Sequence, residues 1–134
     1  MNRSVVLSAT VVSALLGTVV GFVFGWVAMQ PMGLIAGGIV GYSVSRTSDA
    51  IFDSLLSGFL GGILALVLVN ALNYTTQVTQ VGDAAAAAGQ QAIFLTISGL
   101  LFVPGAYAVG ALLTAPTVVY LKPRVRRAFG QQTA

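Results

Sequence analysis

The chain contains no cysteine, no histidine and no glutamate. Disulfide frameworks, thiol chemistry and the usual zinc and haem ligand sets are therefore excluded. The acids are Asp49, Asp53 and Asp83, and the bases are Arg3, Arg46, Lys122, Arg124, Arg126 and Arg127. Charged residues make up 7 % of the 134 residues, where soluble domains carry about 25 %. So few charges cannot coat a water-exposed surface of this size. They also leave most general acid–base enzymes nothing to work with. No enzyme, cofactor or metal site is expected.

What the chain does have is long uncharged stretches, with hydrophobic residues at 57 %. A lipid-facing surface needs no polar coat, and in lipid the backbone must satisfy its own hydrogen bonds, which favours helices. The expectation is an all-α, polytopic transmembrane bundle of four helices. Residues 5–29 would span roughly 37 Å, more than the ~30 Å hydrocarbon core. A cleaved signal peptide is the competing reading, but its apolar region would stop after about 7–15 residues. Gln30-Pro31 marks the end of this helix, because proline disfavours α geometry in the residue before it.

Residues 32–45 form the second expected helix. At ~21 Å it is short, and crosses only with local thinning, or folds back as a re-entrant hairpin. Thr47 or Ser48 is the expected N-cap of a third helix over 50–72. Residues 73–83 read as a polar loop containing an Asn73-Tyr74-Thr75 acceptor pattern for N-glycosylation. Asp83 can cap a fourth helix, whose apolar part covers about 91–115. Pro104-Gly105 interrupts it, as a kink or as a turn that creates a fifth crossing. Residues 122–134 are a basic cytoplasmic tail after a transmembrane domain over 1–121.

Charge placement favours four crossings. All six bases then fall on one side, as the positive-inside rule expects, with both termini inside. Trp26 and Tyr74 fall near the expected outer boundary, and Tyr42 and Tyr120 near the inner one. Tyr107 lies within the last span and fits neither belt.

Small residues recur every fourth position. One row holds Ser13, Gly17, Gly21 and Gly25; another Gly33, Gly37, Gly41 and Ser45; a third Ser54, Gly58 and Gly62. Such rows lie on one helix face and let two backbones approach closely. They are expected to hold the helices together, with a row facing a second copy or another membrane or coat protein as the sharper reading.

Two charged groups remain. Arg46, Asp49 and Asp53 form a possible ion site at the membrane edge, or complement the positive start of the third helix. Lys122, Arg124, Arg126 and Arg127 orient the chain, or contact anionic lipid or an acidic partner. No specific nucleic-acid contact is expected. GLIAGGIVG is not a phosphate loop, since it lacks the terminal Lys-Ser/Thr and no strand precedes it.

The segment GLIAGGIVGYSVSRTSDAIFDSLLSGFLGGILA, with the Gly-rich first helix before it, resembles a group of small haloarchaeal membrane proteins of unknown function. The resemblance spans residues 12–70 and leaves out the tail KPRVRRAFG. It implies a small helical membrane protein and carries over no functional residue. Function then divides three ways. First is a structural or interaction protein, as scaffold or assembly component of a cell envelope or of a membrane-containing virion. Second is a pore-forming, holin-like protein. Third is a small channel or transporter subunit using Asp49 and Asp53.

Overall fold

In the computed structural model, residues 1–82, 88–89, 92 and 102–132 are described, and no strand occurs among them. The helices are α1 (Arg3–Phe24), α2 (Trp26–Met29), α3 (Gly33–Ser43), α4 (Thr47–Val81) and α5 (Phe102–Gln132), with a 3-10 turn over Gln30–Met32. Three helical stretches, Arg3–Phe24, Thr47–Gln80 and Phe102–Gly130, are long and apolar enough to cross a membrane. Their outer faces are apolar: Leu7, Val19 and Val23 on α1, Phe52 and Val67 on α4, and Val109 and Leu113 on α5 are all exposed.

The first reversal is at Gly25 and not at Gln30-Pro31. Gly25 has φ 94° and ψ 163°, a region closed to side chains with a Cβ. After it, Met29, Gln30, Met32 and Gly33 all keep right-handed helical dihedrals. Pro31 is absorbed in the first turn of the 3-10 segment, where a missing N–H costs little. Residues 26–43 thus form one helical arm of about 28 Å, longer than the expected second helix. Replacing Gly25 by Ala forces a strained backbone although nothing lies within 4 Å of the added methyl. A loss of about 1–3 kcal/mol is expected, read as a lower unfolding midpoint in detergent.

Two parallel pairs make the bundle. α1 and α4 run side by side, with Ser13 against Gly61, Gly17 against Ala65 and Gly21 against Val69. α3 and α5 also run in parallel, with Gly33, Gly37 and Gly41 against Tyr107, Ala111 and Ala115. The pairs are antiparallel to each other, since Gly58 meets Ala111 while Gly62 meets Pro104. Lys122 donates to the Tyr42 carbonyl. Arg3, Arg46 and the basic stretch of α5 therefore gather at one end.

Residues 73–81, expected as a loop, continue α4. The segment lacks Gly and Pro, and Thr75, Thr76 and Thr79 turn their hydroxyls back onto the carbonyls of Ala71, Leu72 and Thr75. Polar composition marks where an apolar span ends, and says nothing about where a helix ends. Gly82, with φ 69°, closes α4 in the left-handed cap that glycine favours. The Asn73 acceptor pattern is thus helical. The expected basic tail is likewise helical to Gln132, through Pro116 and Pro123. Pro104-Gly105 lies in the first turn of the described α5, and residues 93–101 before it lie outside the described residues. Asp83 and residues 93–101, the expected cap and part of the last span, lie outside the described residues, as does the side chain of Trp26.

Candidate functional site

The inner faces meet through glycine. A Cβ on Gly33 or Gly37 would fall onto the backbone of Tyr107 or Ala111. One on Gly41 would lie 2.5 Å from the Ala115 carbonyl oxygen, one on Gly58 2.6 Å from that of Tyr107, and one on Gly62 2.6 Å from the Pro104 Cα. On the α1 side, a Cβ on Gly21 would lie 2.9 Å from the Met29 sulfur. A Cβ on Gly25, read as the last member of the first row, would meet nothing within 4 Å, and this glycine serves the turn. Gly17, Gly21, Gly33, Gly37, Gly41, Gly58 and Gly62 face inward among the described helices, whereas Gly25 and Ser45 are exposed.

Tyr107 is where the rows converge. It is fully buried. Its backbone lies against Gly33 and Gly58, its Cβ against Gly62, its ring against Gly61, and its hydroxyl against Gly17. The hydroxyl has no hydrogen-bond partner. Tyr107 fits no interfacial belt, so the belt rule gives it no place. A signal was present, in a lone aromatic flanked by small residues in an Ala- and Gly-rich helix.

The charged end holds a cavity of about 520 Å³ lined by Arg3, Arg46, Asp49 and Asp53, among others. The structure thus brings the sequence-predicted cluster together and adds the start of α1 to it. Asp49 sits in the first turn of α4, where a negative charge complements the helix dipole. Neither Thr47 nor Ser48 caps α4; Arg46 is its N-cap residue, without a side-chain cap bond. Asp53 behaves differently from expectation. It is 1 % exposed, and its Oδ2 accepts the backbone N–H of Asn2 at 3.1 Å. Asn2 is the N-cap residue of α1, so Asp53 complements the positive start of α1 as well as lying near that of α4. Its Oδ1 has no hydrogen-bond partner.

The basic residues of α5 occupy two faces. Lys122 and Arg126 are one turn apart and line a groove with Tyr42, Val118 and Leu121. Lys122 Nζ lies 5.1 Å from the Tyr42 ring centre, and Arg124 stacks 4.4 Å over Tyr120. Arg124 also donates to the Tyr120 hydroxyl. Such cation–aromatic pairs contribute about 0.5–1 kcal/mol at exposed sites. Arg127 is exposed on the same arm.

Among the described residues, no group of three or more His, Cys, Asp or Glu side chains is placed to hold a metal ion. Over the described residues these features define a helical chain with a glycine-lined interior, apolar outer faces and its bases at one end. No protein family, curated protein or solved structure matches it.

Proposed function

We propose that this chain is a small integral membrane protein of structural kind, a scaffold or assembly component that holds a basic helical arm at the inner membrane surface. The observation that carries the reading is how the interior is filled. Gly, Ala and Val bring backbones into direct contact across the bundle, and the charged cavity sits at one end. Close backbone contact along these seams favours a structural role over a pore or transporter in the single chain. The exposed apolar faces suit lipid, and the end that gathers the bases suits the cytoplasmic side. The arm, with Arg124, Arg126 and Arg127 exposed, offers an anionic leaflet or an acidic partner about 1 kcal/mol of attraction per base.

The cysteine-free chain suits single-cysteine accessibility mapping. Gln80→Cys in intact cells is expected to react with a membrane-impermeant maleimide. Ser45→Cys and Ala128→Cys are expected to react only after permeabilisation. The reverse pattern would invert the orientation, and release of the protein by alkaline carbonate would defeat the membrane reading itself. Crosslinking in native membranes then tests the scaffold role, which fails if only uncrosslinked monomer is recovered.

A further inference from the structure

Resting on the membrane reading above, we infer that the charged cavity is a headgroup site for an aminophospholipid, a ligand that carries a primary ammonium a few bonds from a phosphodiester. Asp53 supplies the first half of the argument. A carboxylate has about four acceptor positions. Oδ2 receives one N–H from Asn2, while Oδ1 receives none although the side chain is 1 % exposed. A buried acceptor left in that state is costly, and a cationic donor is its best partner.

The second half is the mixed sign of the lining. Arg3 and Arg46 border the same cavity as Asp49 and Asp53. A divalent cation drawn to the aspartates would meet two guanidiniums. A simple anion drawn to the arginines would meet two carboxylates. A ligand bearing both signs meets neither conflict. Guanidinium forks match phosphate oxygens, and an N–H-bearing ammonium matches Asp53. The cavity's volume, about 520 Å³, falls within the range of small-ligand pockets. It also opens at the end of the bundle where Arg3, Arg46 and Lys122 gather, which is the level of headgroups under the membrane reading.

The test compares headgroups that differ only in N–H donors. The full-length protein is taken up in nanodiscs of phosphatidylcholine containing one added lipid, and co-purified lipid is counted by native mass spectrometry. Phosphatidylethanolamine is expected to be retained at least about tenfold over phosphatidylcholine, the value of one charge-assisted hydrogen bond. N-monomethyl and N,N-dimethyl phosphatidylethanolamine should fall in between, in order. Asp53→Asn keeps an acceptor for Asn2 and is expected to abolish the preference while leaving helicity and elution volume unchanged. Arg3→Gln with Arg46→Gln should reduce retention of phosphatidylethanolamine. Should Asp53→Asn fail to fold, the methylation series on the unaltered protein decides alone. Equal retention of ethanolamine and choline lipids, or stronger retention of phosphatidylglycerol, overturns the proposal. Binding of soluble phosphoethanolamine without retention of its lipid also overturns it, by assigning the site to a free metabolite. An inserted protein without headgroup preference sinks only this inference, whereas carbonate release sinks the membrane reading.

Discussion

Gly37→Val is expected to destabilise the bundle by about 3 kcal/mol or more, at the upper end of overpacking costs, whereas Gly38→Ala next to it is expected to leave stability unchanged or raise it. The two glycines are adjacent in sequence and have the same local propensity. They differ in what faces them. A Cβ on Gly37 would overlap the Ala111 carbonyl oxygen and lie 2.7 Å from the Ala111 Cα. Backbone cannot rotate away as a side chain can, so α3 and α5 must part along their whole shared seam. That seam includes Gly33 and Gly41 on one helix and Tyr107 and Ala115 on the other, and each loses contact as the axes separate. A Cβ on Gly38 meets nothing nearer than the Thr114 Cγ2 at 4.0 Å. There the substitution removes the helix penalty of glycine, worth up to ~1 kcal/mol. Unfolding of both variants in mixed micelles, followed by far-ultraviolet circular dichroism, gives the comparison. Equal midpoints for the two would mean that the seam does not hold the helices together.

Gly17→Ala is expected to cost about 2–3 kcal/mol, and Tyr107→Phe to restore most of it. The added methyl would occupy the position of the Tyr107 hydroxyl. Removing that oxygen leaves the ring carbon that bore it at 3.0 Å from the methyl, a tight contact that small shifts relieve. Tyr107→Phe by itself is expected to be neutral or stabilising, because the deleted hydroxyl is buried without a partner. The double-mutant cycle should therefore show a favourable coupling of about 1–2 kcal/mol, measured by the same unfolding assay. Additive effects would show that α1 does not press on Tyr107. Tyr107 on α5 lies against glycines of α1, α3 and α4, so its behaviour reports whether the four arms fold as one unit.

Several element boundaries diverge from sequence expectation for one shared reason. Gln30-Pro31 looked like the end of the first helix because proline is a strong local breaker. The actual reversal at Gly25 needs a backbone conformation that glycine alone adopts freely, and nothing in a row of small residues separates a turn glycine from a packing glycine. Residues 73–81 looked like a loop because they are polar. Their threonines satisfy themselves on the preceding turn, so α4 carries on to Val81. In both places a local signal, proline in one and polarity in the other, does not fix where the backbone turns.

The charged cluster was legible in part. The spacing of Asp49 and Asp53 places both on one face of α4, near its start. The partner of Asp53 was not legible, because it is a backbone N–H 51 residues earlier in the chain. A main-chain donor leaves no trace in residue identity. The same holds for Tyr107, whose significance lies in three glycine rows that it meets at once and that belong to other helices.

The amino-acid sequence by itself determined that this protein is helical, that its helices are apolar enough for lipid, and that its bases segregate from its apolar spans. Those properties are local: they follow from the need of each backbone segment to bond itself in an apolar medium and from the cost of placing charge there. Only the tertiary structure decided where the first arm turns back, which helix each glycine row meets, and what Asp53 and Tyr107 touch. Periodicity announces that a face exists. Which other face it meets depends on close packing between segments far apart in the chain, and that is fixed only when all of them are in place.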